Sequence, residues 1–171
     1  MLSSTTLIKL LKNKKFEIKI HHHMPLFTVN DSARLRGSIE GSHTKNLFLK
    51  NKKNKFFLIS CDENDKVDIK KISKKLNLGN ISFAKEEYLV KYLCVKPGSV
   101  SPFSLLNDND NLVTFYLEKK LYESKIINFH PFINTMTITI NTNDFIKFMV
   151  ENNKIINIFL STTGEVLKTY D

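Results

Sequence analysis

Only two cysteines, Cys61 and Cys94, occur in the 171 residues, and they form no C-x-x-C pair. That excludes a disulfide scaffold and a cysteine-rich metal site, and the two thiols are expected to be reduced and structural. Arginine is almost missing: Arg34 and Arg36 are the only two among 26 basic residues. There is no arginine-rich run, no zinc-finger spacing and no RNP-type signature. No G-x-S-x-G sequence occurs, so a serine-hydrolase elbow is excluded. No apolar run reaches the ~18 residues that a membrane span needs. No acid precedes Glu17 in a stretch of Ser, Thr and Lys, which imitates an organelle transit peptide. The competing reading is a helix from about Ser4 to Lys12, capped by Ser3 or Ser4, with Leu7, Leu10 and Leu11 on one face. The helix is preferred, and with it a cytoplasmic protein. Repeats, linkers and composition breaks are also missing, so residues 1–171 are expected to form a single domain.

What is present is a globular composition, 42% hydrophobic and 25% charged, with a net charge of +9 carried almost wholly by lysine. A basic surface of this size suits an anionic partner, nucleic acid first. Heavy use of Lys, Asn and Ile is also what codon drift in an AT-rich genome produces, so charge alone leaves both readings open.

In chain order, Phe16, Ile18 and Ile20 alternate with Glu17 and Lys19, a half-buried strand. His21, His22 and His23 follow. Adjacent histidines on a strand point to opposite faces, with no nearby Cys or carboxylate to complete a metal shell, so a solvated turn is expected. Asn30 or Asp31 can cap a short helix through Leu35. Near its end, Arg34 and Arg36 read as surface charge or as phosphate contacts. After a polar turn at 51–55, residues 56–60 form a return strand. Asp68 caps a helix with Ile69, Ile72 and Leu76 inward and Lys70, Lys71, Lys74 and Lys75 outward, ending at Asn77 or Gly79. That lysine face is solvated or receives an RNA backbone. Ser82 is expected to cap a helix over 84–93. Strands are expected at 113–117, at 126–129 and, with clear alternation, at 135–140. A helix capped by Thr142 or Asn143 runs to Met149. Residues 155–159 read as the last strand, and the polar tail from Ser161 as loosely held. Strands and helices interleave without strict alternation. The expected class is therefore α+β, a central mixed, partly barrel-like sheet flanked by helices.

The organising stretch is Gly41 to Lys50. Thr44 to Leu49 reads as a strand, Leu47 and Leu49 on one face and Asn46 and Phe48 on the other. Lys45 stands at the mouth of that apolar strand. It reads as a surface lysine, as a nucleophile needing a lowered pKa and a carbonyl substrate, or as a cation holding a phosphate or developing oxyanion. The loop Gly98 to Phe103, stiffened by Pro97 and Pro102, is either a connector or a wall of backbone amides that a ligand approaches closely.

Gly41-Ser42-His43-Thr44-Lys45-Asn46-Leu47-Phe48-Leu49 resembles the G-x-H-T-K-N-L-F-L block of the prolyl-tRNA-synthetase-associated (YbaK-like) editing domains. Pro97-Gly98-Ser99-Val100-Ser101-Pro102-Phe103 resembles their P-G-S-V-S-P-F loop. Asn128-Phe129-His130-Pro131 with Asn134-Thr135 resembles N-F-H-P-x-x-N-T, and Pro25-Leu26-Phe27-Thr28-Val29 resembles P-x-F-T-V. The blocks stand in family order and cover about residues 7–160, and the G-S-V-S-P-F loop brings the chain nearest the free-standing alanyl-tRNA(Pro) deacylases. The resemblance implies hydrolysis of the ester between a mischarged amino acid, alanine first, and the 3′ end of tRNA(Pro), with no cofactor and no metal. It implies catalytic roles for Lys45 in holding phosphate or oxyanion and for Asn46 in positioning. It also implies a substrate pocket formed by Gly98, Ser99, Val100 and Ser101 with Phe27 and Thr44, His130 filtering by size. Aminoacyl-tRNA is the implied partner, with prolyl-tRNA synthetase a second candidate and no membrane. Ser42 and Ser104 stand where many relatives have glycine, which leaves serine, cysteine or threonine open as the residue removed. The rival reading is a non-catalytic aminoacyl-tRNA or RNA-binding module.

Overall fold

The computed structural model describes residues 1–25 and 39–171. Phe27, the short helix expected after Asn30 or Asp31, and both arginines lie outside the described residues. Ser3 caps α1 (Ser4–Asn13) by accepting from the Thr6 amide, and Leu7 and Leu11 bury its inner face. The expected β1 is displaced towards its C-terminal end, to Ile18–His22. His21 and His22 are strand residues rather than a turn, because β7 (Met136–Asn141) supplies partners as far as Met136.

β2 (Ser42–Asn51) is the longest strand among the described residues and joins two parts of the sheet. Its first two residues pair in parallel with β6 (Ile126–Phe129), Ser42 with Ile127 and His43 with Asn128. From Thr44 to Lys50 it pairs with β3 (Phe56–Asp62), antiparallel, and its end also pairs with β4 (Ile81–Phe83). Among the described residues the strand order is β1-β7-β6-β2-β3-β5-β8-β9 with β4 beside β2, where β5 is Val113–Glu118, β8 Ile156–Phe159 and β9 Val166–Tyr170. Gly41 makes the turn into β2 at φ +93, with its missing Cβ facing the Ile126 carbonyl 2.9 Å away. Any side chain there collides with the strand that β2 must join.

Strand alternation divides the molecule into two layers. Phe48, Phe56, Leu58, Phe115, Ile127 and Phe129 face the main core, covered by α1 and by α5 (Thr142–Glu151). Leu49, Phe57, Ile59 and Cys61 face a smaller core beneath α2 (Ile69–Lys75). Asp68 caps α2 as expected. The mixed α+β class with a large helix-flanked sheet is the one read from the sequence.

Three further local expectations change. Ser82 lies in β4, and the following helix begins only at Glu86 (α3, Glu86–Tyr88), passing into a π turn over Leu89–Leu93 that ends at left-handed Cys94. Asn141, one residue earlier than expected, caps α5. The tail is not loose: β9 pairs with β8, and the Tyr170 and Tyr122 hydroxyls lie 2.9 Å apart. Among the described residues, the remaining elements are the 3₁₀ turn Pro102–Asn107 and α4 (Lys119–Tyr122). Among the described residues, no helix is long and apolar enough to cross a membrane.

Candidate active site

The register of β2 decides which side chains share a face. His43 pairs with Asn128 in the parallel ladder. In a strand, residues two apart return to the same side, so Lys45 follows His43, and His130 follows Asn128 one step beyond β6. β7 and β1 continue this face with Thr137, Thr139, His21 and His23. The result is a polar layer on the side of the sheet opposite the main core. The β2–β6 ladder comprises Ser42 and His43, so Lys45 stands where the two strands part.

Lys45 is half-buried and donates to the Glu63 carbonyl at 3.3 Å and to the Asp65 carbonyl. The two backbone oxygens hold its ammonium in the turn after β3. The nearby Asp62 and Asp65 carboxylates pair with Lys120, at 3.4 and 3.1 Å. That ion pair lifts the Lys120 ammonium above its ordinary value, the Asp65 contact being the main cause. A cavity of about 460 Å³ opens beside this turn, lined in part by Cys61, Asp65, Lys71, Glu118 and Lys120. Cys61 lies directly across the ladder from Lys45 and is 1% exposed. Burial first, and then the Glu118 carboxylate, push its thiol up to about 12, against the pull of Lys45. It therefore stays protonated at neutral pH and is no nucleophile.

Thr44 and Asn46 point the other way. Asn46 accepts from Ser60 at 2.5 Å and donates to the Thr44 hydroxyl at 3.3 Å, and Thr44 donates to the Asn128 carbonyl at 3.0 Å. This chain bridges β3, β2 and β6 where the β2–β6 ladder stops. Asn46 is thus brought close to Lys45 in sequence but not in face.

The 98–101 loop is tied to the same region from the core side. Gly98 adopts φ +84, Ser99 is buried and Val100 packs on the main core. Ser101, fully buried, donates to the His130 carbonyl at 2.6 Å. The loop and His130 are therefore brought together through one hydrogen bond.

His130 donates through Nδ1 to the Met136 carbonyl at 2.8 Å, since a carbonyl can only accept. In the neutral ring Nε2 is then the lone-pair nitrogen. The His23 ring lies 5.8 Å away. Burial lowers the His130 pKa below 6.5; the Met136 bond opposes this and the neighbouring His23 and His43 add to it. A depressed base takes up its proton more readily unfolded than folded. Its contribution to stability is complete above about pH 6.5 and is lost as the pH falls through the folded value. The melting temperature is expected to drop as the pH is taken below about 6.5, and His130→Gln should flatten that slope. An equal slope in the variant would assign the loss to other groups.

Sequence reasoning missed the rest of the polar layer. His21 Nε2 lies 2.9 Å from the Thr139 hydroxyl, which donates to Asn128 Oδ1 at 2.6 Å, and Asn128 donates to the Glu40 and Ser42 carbonyls. His23 Nε2 lies 2.9 Å from the Thr137 hydroxyl. The signal was available: threonines alternate with apolar residues over 135–140, and His21 and His23 are two apart. Among the described residues, no group of three His, Cys, Asp or Glu side chains could hold a metal ion.

Both the fold and the sequence have known counterparts. A solved structure described as a candidate trans-editing enzyme for prolyl tRNA synthetase superposes with a TM-score of 0.64, covering 91% of this chain and 96% of its own, at 15% identity. A computationally designed epitope scaffold superposes with a TM-score of 0.68 at 14% identity, covering 94% and 96%. At those identities the likeness is one of fold alone. Sequence carries it further. The aminoacyl-tRNA editing domain profile matches residues 23–148. The prolyl-tRNA editing protein ProX of Acetoanaerobium sticklandii is 31% identical over 141 residues, 80% of this chain and 86% of that one. The prolyl-tRNA synthetase associated domain-containing protein 1 of Danio rerio is 32% identical over 143 residues, 82% of this chain and 78% of that one. The chain belongs to the aminoacyl-tRNA editing domain family.

Proposed function

We propose that this protein is a trans-editing deacylase that hydrolyses mischarged aminoacyl-tRNA(Pro), alanine being the amino acid removed. The observation that carries the reading is the common face of Lys45, Asn128 and His130 where β2 and β6 part, in a chain whose relatives are named for prolyl-tRNA editing. An aminoacyl ester is already reactive, so positioning and charge stabilisation can suffice for its hydrolysis. Lys45 exchanges its two carbonyl partners for a substrate phosphate or the oxyanion of the attacked ester. Thr44 and Asn46 act as positioning residues: their hydrogen bonds fix the strand that presents Lys45. The Gly98–Ser101 loop forms the pocket wall, and Phe27 completes the substrate-binding set.

His130 sets the size limit, its ring oriented by Met136 and its backbone pinned by Ser101. A synthetic site shaped for proline cannot strongly reject a smaller side chain, because only a modest difference in apolar contact is lost. A second pocket that admits a methyl group and excludes a pyrrolidine ring sorts in the opposite sense. Single-turnover deacylation of Ala-, Ser- and Pro-tRNA(Pro) tests this. Rapid loss of alanine with proline retained is the expected result. Preferential loss of serine would reassign the substrate. No hydrolysis of any ester by folded protein would leave an RNA-binding module.

A further inference from the structure

A groove of about 850 Å³ lies between the C-terminal end of α1 and the β1–β7 edge, away from the residues placed at the ester. Lys12, Lys14, Lys15, Lys19 and Lys125 line it, against only Glu17 and Asp144. Lys14 is held by Glu151 at 2.8 Å, and Lys19 reaches Glu40 at 3.7 Å. Lys12, Lys15 and Lys125 are exposed, and among the described residues none of the three closes an ion pair. Lysines at the end of a helix offset its terminal carbonyls. That explains Lys12 but not the convergence of Lys19 and Lys125 from two other elements.

The groove runs into the polar layer. Lys19 pairs with Thr139 across the β1–β7 ladder, and Thr139 both lines the groove and meets His21. Lys19 and His21 fall on one face of β1, and His23, one residue beyond the strand, brings its ring to 5.8 Å from that of His130. At ~3.3 Å per residue, Lys19 and His23 are roughly 13 Å apart, a distance that a few unpaired nucleotides span. We propose that this lysine groove is the track for the phosphate backbone of the RNA whose aminoacylated 3′ end reaches Lys45. The proposal rests on the aminoacyl-tRNA reading above and extends it to a surface built largely outside the family match, since four of the five lysines precede residue 23.

Lysines that neutralise phosphates release counterions, so each lost contact lowers the salt dependence of binding by a little under one unit of slope. The test measures affinity for uncharged tRNA across a salt series. The variants are Lys12→Gln/Lys15→Gln/Lys125→Gln and, for comparison, Lys70→Gln/Lys71→Gln/Lys74→Gln on the α2 face, each first shown to melt as the unmodified protein does. The groove variant is expected to lose about 2 units of slope and roughly tenfold in affinity at low salt, with a smaller change for the α2 variant. An unchanged slope and affinity in the groove variant, as an acidic-protein face would give, overturns the proposal. So does an equal loss in the α2 variant. Because uncharged tRNA is the probe, the result is independent of catalysis. Tight groove-dependent binding without ester hydrolysis would uphold the track and sink the deacylase reading. Hydrolysis with an unaltered slope would do the reverse.

Discussion

Lys45→Ala is expected to lower the single-turnover rate of Ala-tRNA(Pro) hydrolysis by about 10²–10³-fold, the loss typical of removing one preorganised charge-stabilising donor. Charge development at the ester oxygen, or a phosphate beside it, needs a cation already in place. Lys45 is placed by the two carbonyls at Glu63 and Asp65, which hold the ammonium at the mouth of β2 without cancelling its charge. Lys120 meanwhile neutralises Asp62 and Asp65, whose carboxylates would otherwise repel an anionic substrate. The fold does not depend on the ammonium, because the residue pairs through its backbone with Cys61 and Leu47 and Leu49 bury the strand beyond it. The variant should therefore melt within a few degrees of the unmodified protein. Lys45→Arg keeps the charge but spreads it over a planar fork, and is expected to recover part of the rate. A Lys45→Ala rate within tenfold of the unmodified protein would remove Lys45 from the chemistry. The α2 lysines, if they mattered more, would support the binding-module reading.

The part of the site carried by strands was readable in advance, because two-residue periodicity fixes faces. The opposition of Lys45 and Asn46, the β6 strand leading to His130 and the alternation on β7 all follow from it. What could not be read was register. Nothing local states that Ser42 and His43 pair with Ile127 and Asn128, or that β2 then leaves β6, yet Lys45 stands where the two part. The histidine run was misjudged for the same reason. Its strand character comes from β7 as a partner, and its polar side chains are matched by Thr137 and Thr139 rather than by water alone.

The errors elsewhere share a cause. Ser82 followed by an apolar-periodic run has the form of a capped helix, but Leu49 offers Phe83 a ladder position and the sheet wins over local propensity. The helix then widens into a π turn, so that Leu89 and Leu93 enter the core while Tyr88 and Tyr92 pack on Phe56 at 5.1 and 4.4 Å. β9 gave no signal because Val166 to Thr169 are exposed on both faces. It is held by the β8 ladder and by Tyr170 against Tyr122, neither of which leaves a hydrophobic pattern.

Phe103→Ala is expected to cost about 3–5 kcal/mol of stability, the range for emptying a well-packed aromatic site. Phe103 is fully buried and meets the rings of Phe129, Phe145 and Phe148 edge-on, at 5.8, 5.7 and 6.2 Å. Phe129 and Phe145 themselves lie 4.8 Å apart, so the four rings brace one another and the hole cannot close by a single rotation. For a chain of this size the loss should lower the melting temperature by on the order of 10 °C. The functional consequence follows from where Phe103 sits. It anchors the end of the 98–101 loop, and Phe129 immediately precedes His130, so both ends of the Ser101–His130 bond hang on this cluster. Loosening it should widen the proposed pocket and raise hydrolysis of Pro-tRNA(Pro) relative to Ala-tRNA(Pro). Leu117→Ala provides the comparison: Leu117 is equally buried in the same core but on β5, which does not carry the loop. Both variants should lose stability, and only Phe103→Ala should relax the discrimination against proline. Equal relaxation in both would mean that general softening of the core, rather than the aromatic anchor beneath the loop, controls which side chain is admitted.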